Sequence, residues 1–289
     1  MAESPARQSG TTSGMIWEAI ARLFADEAIP LAGNIAFRTL FSAFPFLIFL
    51  TALSGFLGND RLAASLVEFL FAVAPEQIVR PLEGEILSVL TERQKGLLSL
   101  SVLITIWSAS GGVDSVRVGL NRAYDLKDHR SYPLLLAQNI AFVFVGALAL
   151  LLLALLIVLG PLVVAFVNEH APGAREAFAW IDFWRYPVAI LAVTAVLVAA
   201  HKILPARKLK LADIWPGITF TLIVWILLSA LFAQYLAHFS TFASTYAGLG
   251  GIAAALFFLY LSAIVLIFGG EINRVIGIHR QNQHAMTRP

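Results

Sequence analysis

The stretch Ile214–Gly270, IWPGITFTLIVWILLSALFAQYLAHFSTFASTYAGLGGIAAALFFLYLSAIVLIFGG, decides the fold. Its 57 residues contain no Asp, Glu, Lys or Arg, and His238 is its one ionisable group apart from tyrosine. A soluble helix must show a polar face to water, and this stretch has none to show. A helix that crosses roughly 30 Å of hydrocarbon needs about 20 mostly apolar residues, so the stretch accommodates two crossings. Ser131–Asn168 repeats the feature over 38 residues. The expected fold class is therefore all-α, an integral membrane bundle.

Composition agrees. Mean hydropathy is +0.80, hydrophobic residues make up 59% and charged residues 13%, about half the charged share of a soluble domain. A net charge of +2 is too small to argue for a nucleic-acid partner. The absence of cysteine excludes a disulfide framework, a thiolate nucleophile and a Cys metal site. Met1–Gly14 is polar and rich in Ser, Thr and Gly, with no basic segment ahead of an apolar core. That pattern argues against a cleaved signal peptide, and the first span is expected to act as its own insertion signal.

Six spans are expected, at about Leu31–Leu57, Leu97–Gly119, Leu134–Val167, Tyr186–Leu204, Ile214–Ala237 and Gly250–Val275. A disordered tail over 1–14, one membrane domain over 15–279 and a disordered tail over 280–289 complete the organisation. Gly160-Pro161 is expected to kink the long third span, because proline removes a helical hydrogen bond. The N-terminal segment, the 117–130 and 202–210 loops and the C-terminal tail hold 13 of the 20 Lys and Arg; the opposite side holds six. Basic residues stay cytoplasmic during insertion, so both termini are expected in the cytoplasm.

Two further segments have helical spacing. Ile16, Trp17, Ile20, Leu23 and Phe24 form one face of a short helix whose other face carries Glu18, Arg22 and Asp26, which predicts a helix lying in the headgroup region. Leu62, Leu66, Phe69 and Val73, then Ile78, Leu82, Ile86 and Leu90, predict two amphipathic helices capping the external side within 59–95.

Catalytic chemistry is poorly supplied. The six histidines are scattered, none at metal-ligand spacing, and no phosphate-binding loop is present, so no catalytic residue, cofactor or metal is expected. Gly111, Ser115 and Gly119 recur every four residues on the second span, and Gly251, with Ala247 and Ala255, repeats the pattern on the sixth. Small residues at that spacing permit close helix packing in lipid; a Gly pair also invites the unwinding that transporters use at binding sites. Charges inside spans are the sharper pointers, because a central one costs at least about 2.5–3.5 kcal/mol. Arg38, Asp114 and Glu271 fall in one cytoplasmic-half layer, with Asn34 and Asn121 as polar neighbours. Arg38 is expected to face the interior and pair with one of the two carboxylates.

Several separated motifs then point to a family. Leu40-Phe-Ser-Ala-Phe-Pro45-Phe, Trp107-Ser-Ala-Ser-Gly-Gly, Leu120-Asn-Arg-Ala-Tyr124, Tyr246-Ala-Gly-Leu-Gly250 and Leu259-Tyr-Leu-Ser262, followed by Gly270-Glu-Ile-Asn273, resemble the YihY/BrkB membrane proteins, formerly labelled ribonuclease BN. The match runs from about residue 17 to 277. The resemblance implies a six-helix inner-membrane bundle with cytoplasmic termini that transports or flips lipid-like or other amphipathic molecules. It supports Asn121, Glu271 and Asn273 as site residues better than Arg38, since Phe37-Arg38 departs from the aromatic pair common at that point of the family. Membrane lipids and an amphipathic substrate are the partners implied, without nucleic acid. A non-transporting membrane scaffold and a tRNA-processing ribonuclease remain the alternatives; substrate, coupling ion and oligomeric state are open.

Overall fold

The computed structural model describes residues 12–56, 95–153, 156–157, 175–243 and 249–286. Among them are seven helices: α1 Thr12–Ala25, α2 Ala28–Phe56, α3 Lys95–Ala123, α4 Tyr132–Leu153, α5 Arg175–Ile203, α6 Leu211–Ala243 and α7 Leu249–Met286. No strand occurs among the described residues. Four helical segments are long and apolar enough to cross a membrane: Tyr132–Leu153, Phe183–Ile203, Leu211–Tyr235 and Gly251–Gln283. The Gly160-Pro161 kink and nearly all of the expected external cap lie outside the described residues.

Helices α2 to α7 close into a ring, each packing on the next and α7 returning to α2, while α3 also touches α7 across the middle. Neighbours run antiparallel. Along α2–α3, Ile35 meets Gly119 and Thr39 meets Gly112, the numbers rising on one helix as they fall on the other. Along α6–α7, Gly217 meets Gly269, the Thr221 hydroxyl donates to the Val265 carbonyl at 3.5 Å, and Trp225 Nε1 donates to the Ser262 carbonyl at 3.0 Å. A Cβ on Gly217 would overlap the Gly269 carbonyl oxygen. Backbone contact of this kind replaces the hydrophobic drive that lipid cannot supply.

Burial is concentrated at one end of the ring. The buried side chains come from Ala28–Ala36 of α2, Thr105–Ala123 of α3, Asn139 and Phe142 of α4, Ala189–His201 of α5, Ile214–Thr221 of α6 and Ala263–Val275 of α7. Away from that end, Leu148, Leu151, Leu191, Leu231 and Phe257 are exposed, the surface a bundle offers to acyl chains. The loops 124–131 and 204–210, the α1–α2 joint and the last turns of α7 meet at the buried end through side-chain bonds. Pro216 shows how those bonds arise: lacking an N–H, it frees the Ala212 carbonyl of its helical partner, and Arg280 donates to that carbonyl at 3.2 Å.

Helix α7 continues to Met286, and Arg280 ties its last turns to α6. On α1, Ala19 and Leu23 are buried, Leu23 in a cluster with α2 and α7, while Ile16, Trp17 and Phe24 of the apolar face are exposed. On the other face Arg22 pairs with Glu18 at 2.9 Å, and beyond the helix end Asp26 pairs with Arg274 at 3.1 Å.

Candidate functional site

A layer of polar side chains fills the buried end, in three clusters. The first is anchored by the end of α3. Asp125 has φ 53°, Leu126 N donates to the Asn121 carbonyl at 2.8 Å, and Asp125 N donates to the Arg122 carbonyl at 2.9 Å. This is a Schellman stop with aspartate at the left-handed position usually given to glycine, and it turns the chain so that Asp128 returns beside α3. Arg117 joins Asp114 at 2.8 Å to Asp128 at 2.5 Å, and Arg130 donates to Asp128 at 2.7 Å, to Gln138 at 2.8 Å and to the Leu204 carbonyl at 2.7 Å. Asn139 donates to Asp114 at 3.1 Å. Asn121 donates to Asp128 at 3.2 Å and accepts from Ala206 N at 2.7 Å. The Arg130 guanidinium, helped by Arg117, holds the Asp128 carboxyl well below the usual carboxylate range.

The second cluster lies between α5, α6 and α7. Asn273 accepts from Gly217 N at 2.6 Å and donates to the Tyr124 hydroxyl at 2.9 Å, which lies 2.7 Å from His201 Nδ1. The other ring nitrogen, His201 Nε2, is buried without a hydrogen-bond partner among the described residues. Burial pushes the Tyr124 phenol above the usual tyrosine range.

The third cluster surrounds Glu271, which is fully buried on α7. Among the described residues no donor reaches either carboxyl oxygen. The side chain facing it is itself an acceptor, the Asp26 carboxylate, with Arg274 and Arg22 as the nearby cations. Arg274 is engaged elsewhere, bridging Asp26 at 3.1 Å and Asp125 at 2.9 Å. Tyr124 of the second cluster lies beside Gly270, the residue before Glu271.

The sequence-derived residues thus separate. Asp114 and Asn121 join the first cluster, Asn273 the second and Glu271 the third. Arg38 joins none of them, which corrects the expected ion pair: its Nε donates to Asn34 Oδ1 at 3.1 Å and its NH1 to the Gly111 carbonyl at 3.2 Å, at an exposed position. Asn34 lies one turn back on α2 and reaches the guanidinium before any carboxylate of another helix can. Of the small residues, Gly111 receives Arg38, Gly119 meets Ile35 and Ile267, Ser115 is buried and bonded to the Gly111 carbonyl, and Gly251 is half-buried. Sequence reasoning missed Asp26, Arg117, Tyr124, Asp128, Arg130 and His201 as participants. Among the described residues no group of three or more His, Cys, Asp or Glu could hold a metal ion.

Apolar helices long enough to cross a bilayer, packed around ionic and hydrogen-bonded side chains, define a polytopic helical membrane protein. The chain belongs to the Virulence factor BrkB family, matching it over residues 19–289. It is 33% identical over 264 residues to YfkH of Bacillus subtilis (strain 168), which is named a ribonuclease-like protein; the match covers 90% of this chain and 94% of that one. It is 23% identical over 267 residues to a UPF0761 membrane protein of Pseudoalteromonas atlantica (strain T6c / ATCC BAA-1087), covering 89% and 84%. No solved structure matches the chain.

Proposed function

We propose that this chain is a multipass inner-membrane transporter or flippase of lipid-like or other amphipathic molecules, spanning six times with both termini in the cytoplasm. Glu271 carries the reading. A carboxyl group fully buried on an apolar helix, without a hydrogen-bond donor among the described residues and facing another carboxyl group, is costly to the fold. Ionisable groups kept at such cost inside spans mark ion and substrate pathways. The 13-to-6 division of basic residues supports the sidedness, and the basic loops 124–131 and 204–210 gather at the buried end, which this reading makes cytoplasmic.

Purified protein in liposomes carrying a fluorescent phosphatidylglycerol or a fluorescent amphipathic dye tests the reading. Transport predicts that label from the shielded leaflet or lumen reaches an external quencher faster than in protein-free vesicles. Equal rates for both probes would overturn transport in favour of a membrane scaffold. Cleavage of tRNA precursors by protein freed of other nucleases would instead support the ribonuclease alternative that the name of the Bacillus relative raises.

A further inference from the structure

Arg38 is a charged group within a helix that none of the three clusters includes. It stands ten residues after Ala28, the first residue of α2, about 15 Å along the helix at 1.5 Å per residue. Its contact on α3, Gly111, precedes the last residue of that helix by twelve, about 18 Å by the same rise. The guanidinium therefore lies well inside the bundle's length. Two of its five N–H groups are used, on the Asn34 side chain and the Gly111 carbonyl. Among the described residues it forms no ion pair.

The surroundings are built rather than accidental. A Cβ at Gly111 would lie 3.1 Å from Arg38 NH1, so the missing side chain is what lets the guanidinium reach the α3 backbone. The same carbonyl also accepts from Ser115 Oγ at 3.1 Å, which fixes it. Asn34 Oδ1 accepts from Nε and orients the fork, leaving the amide hydrogens of Asn34 for a ligand. Away from the buried end the seam turns apolar on both helices. Phe41 of α2, stacked on Phe37 with centroids 6.0 Å apart, is exposed. On α3, Trp107 is 72% exposed and Leu103 66%, continuing the face on which Gly111 lies. A cation thus sits at one end of an exposed apolar strip that runs past the middle of the bundle.

We propose that the α2–α3 seam binds one phosphate-bearing anionic lipid, its phosphate on Arg38 and Asn34 and an acyl chain along Phe41, Trp107 and Leu103. A guanidinium in hydrocarbon needs an anion, and its planar fork matches two phosphate oxygens. Polarity runs the right way, with the head nearer the buried, basic end and the tail toward the interior. The inference names a substrate class for the transport reading, on which it rests for movement of the lipid and not for its binding.

Competition binding tests it on the full chain. Protein in micelles is equilibrated with equal phosphatidylglycerol and phosphatidylcholine, and retained lipid is counted by native mass spectrometry. Wild type should retain phosphatidylglycerol about tenfold over phosphatidylcholine, whose choline cation would sit beside the guanidinium and offset the phosphate contact. Arg38→Gln should reduce that ratio to near one, while Arg38→Lys, which keeps a charge without the fork, should fall between. Equal retention by wild type overturns the proposal whether or not any variant folds. So does an unchanged preference in a folded Arg38→Gln protein, which would place the lipid elsewhere. Displacement of the lipid by excess inorganic phosphate would make the ligand a free ion and overturn the lipid assignment. Selective binding without flux in liposomes would remove the transport reading and leave this site standing; flux without selectivity would do the reverse.

Discussion

Replacing Asp128 by alanine removes the acceptor on which the first polar cluster converges. Asp128 accepts from Arg117 NH1, from Asn121 Nδ2 and from the backbone N, Nε and NH2 of Arg130. Through these bonds it ties α3 to the loop leading into α4, and through Arg130 to the end of α5. Breaking a buried pair by deleting one partner costs about 3–5 kcal/mol when the other charge is stranded. Here Arg117 keeps Asp114, and Arg130 keeps Gln138 and the Leu204 carbonyl. The expected loss is therefore at the lower edge of that range, about 3 kcal/mol. Its pH dependence has a definite sign. The Arg130 guanidinium depresses the folded-state pKa of Asp128, so the contribution is fully present above the ordinary aspartate value near 3.9 and fades as pH falls through the depressed one. Equilibrium unfolding by SDS titration in mixed micelles, on wild type and Asp128→Ala, measures both effects. The gap should be about 3 kcal/mol at neutral pH and narrow progressively below about pH 4. A gap under about 1 kcal/mol at neutral pH, the value of a solvated surface pair, would refute the clasp.

Three further outcomes are expected. Gly217→Ala places a methyl group against the Gly269 carbonyl and the Asn273 side chain and should cost about 3 kcal/mol, the upper end for overpacking; an unchanged melting temperature in detergent would mean α6 and α7 are not in backbone contact. Arg38→Leu combined with Asp114→Asn, or with Glu271→Gln, should lose stability additively within about 0.5 kcal/mol, as sites without shared partners do; coupling well above that would restore the ion pair corrected here. The cysteine-free chain suits accessibility labelling: Lys127→Cys, Lys208→Cys and Gln283→Cys should all be protected from an impermeant reagent in intact cells, and a cysteine placed within 75–95 should react, whereas reaction on both sides would break the six-span topology.

What the sequence made legible follows from physics it displays directly. Long charge-free runs reveal helices for lipid, and α4 and most of α6 and α7 lie within the runs at 131–168 and 214–270. Depth was also readable, since residue count fixes rise along a helix. Azimuth was not. Arg38 shares a level with Asp114, yet which neighbour a side chain meets depends on helix rotation, and Asn34 one turn away captured it. The Gly217–Gly269 contact was hidden because Pro216-Gly217 reads as a helix-start signal rather than a packing face. Asp128 and Arg130 looked like ordinary loop charges that serve topology. Their role depends on the turn at Asp125, where no glycine advertises the left-handed residue. His201 and Tyr124 are 77 positions apart, and nothing local in either segment indicates that they meet.

The central claim is that Glu271 serves transport and is not a structural necessity. Glu271→Gln keeps shape and volume, removes the ionisable carboxyl and supplies an amide donor toward Asp26. In the liposome assay with fluorescent phosphatidylglycerol, the account predicts a Glu271→Gln protein that melts no lower than wild type and moves lipid no faster than protein-free vesicles do. Wild-type lipid movement by that variant would contradict it.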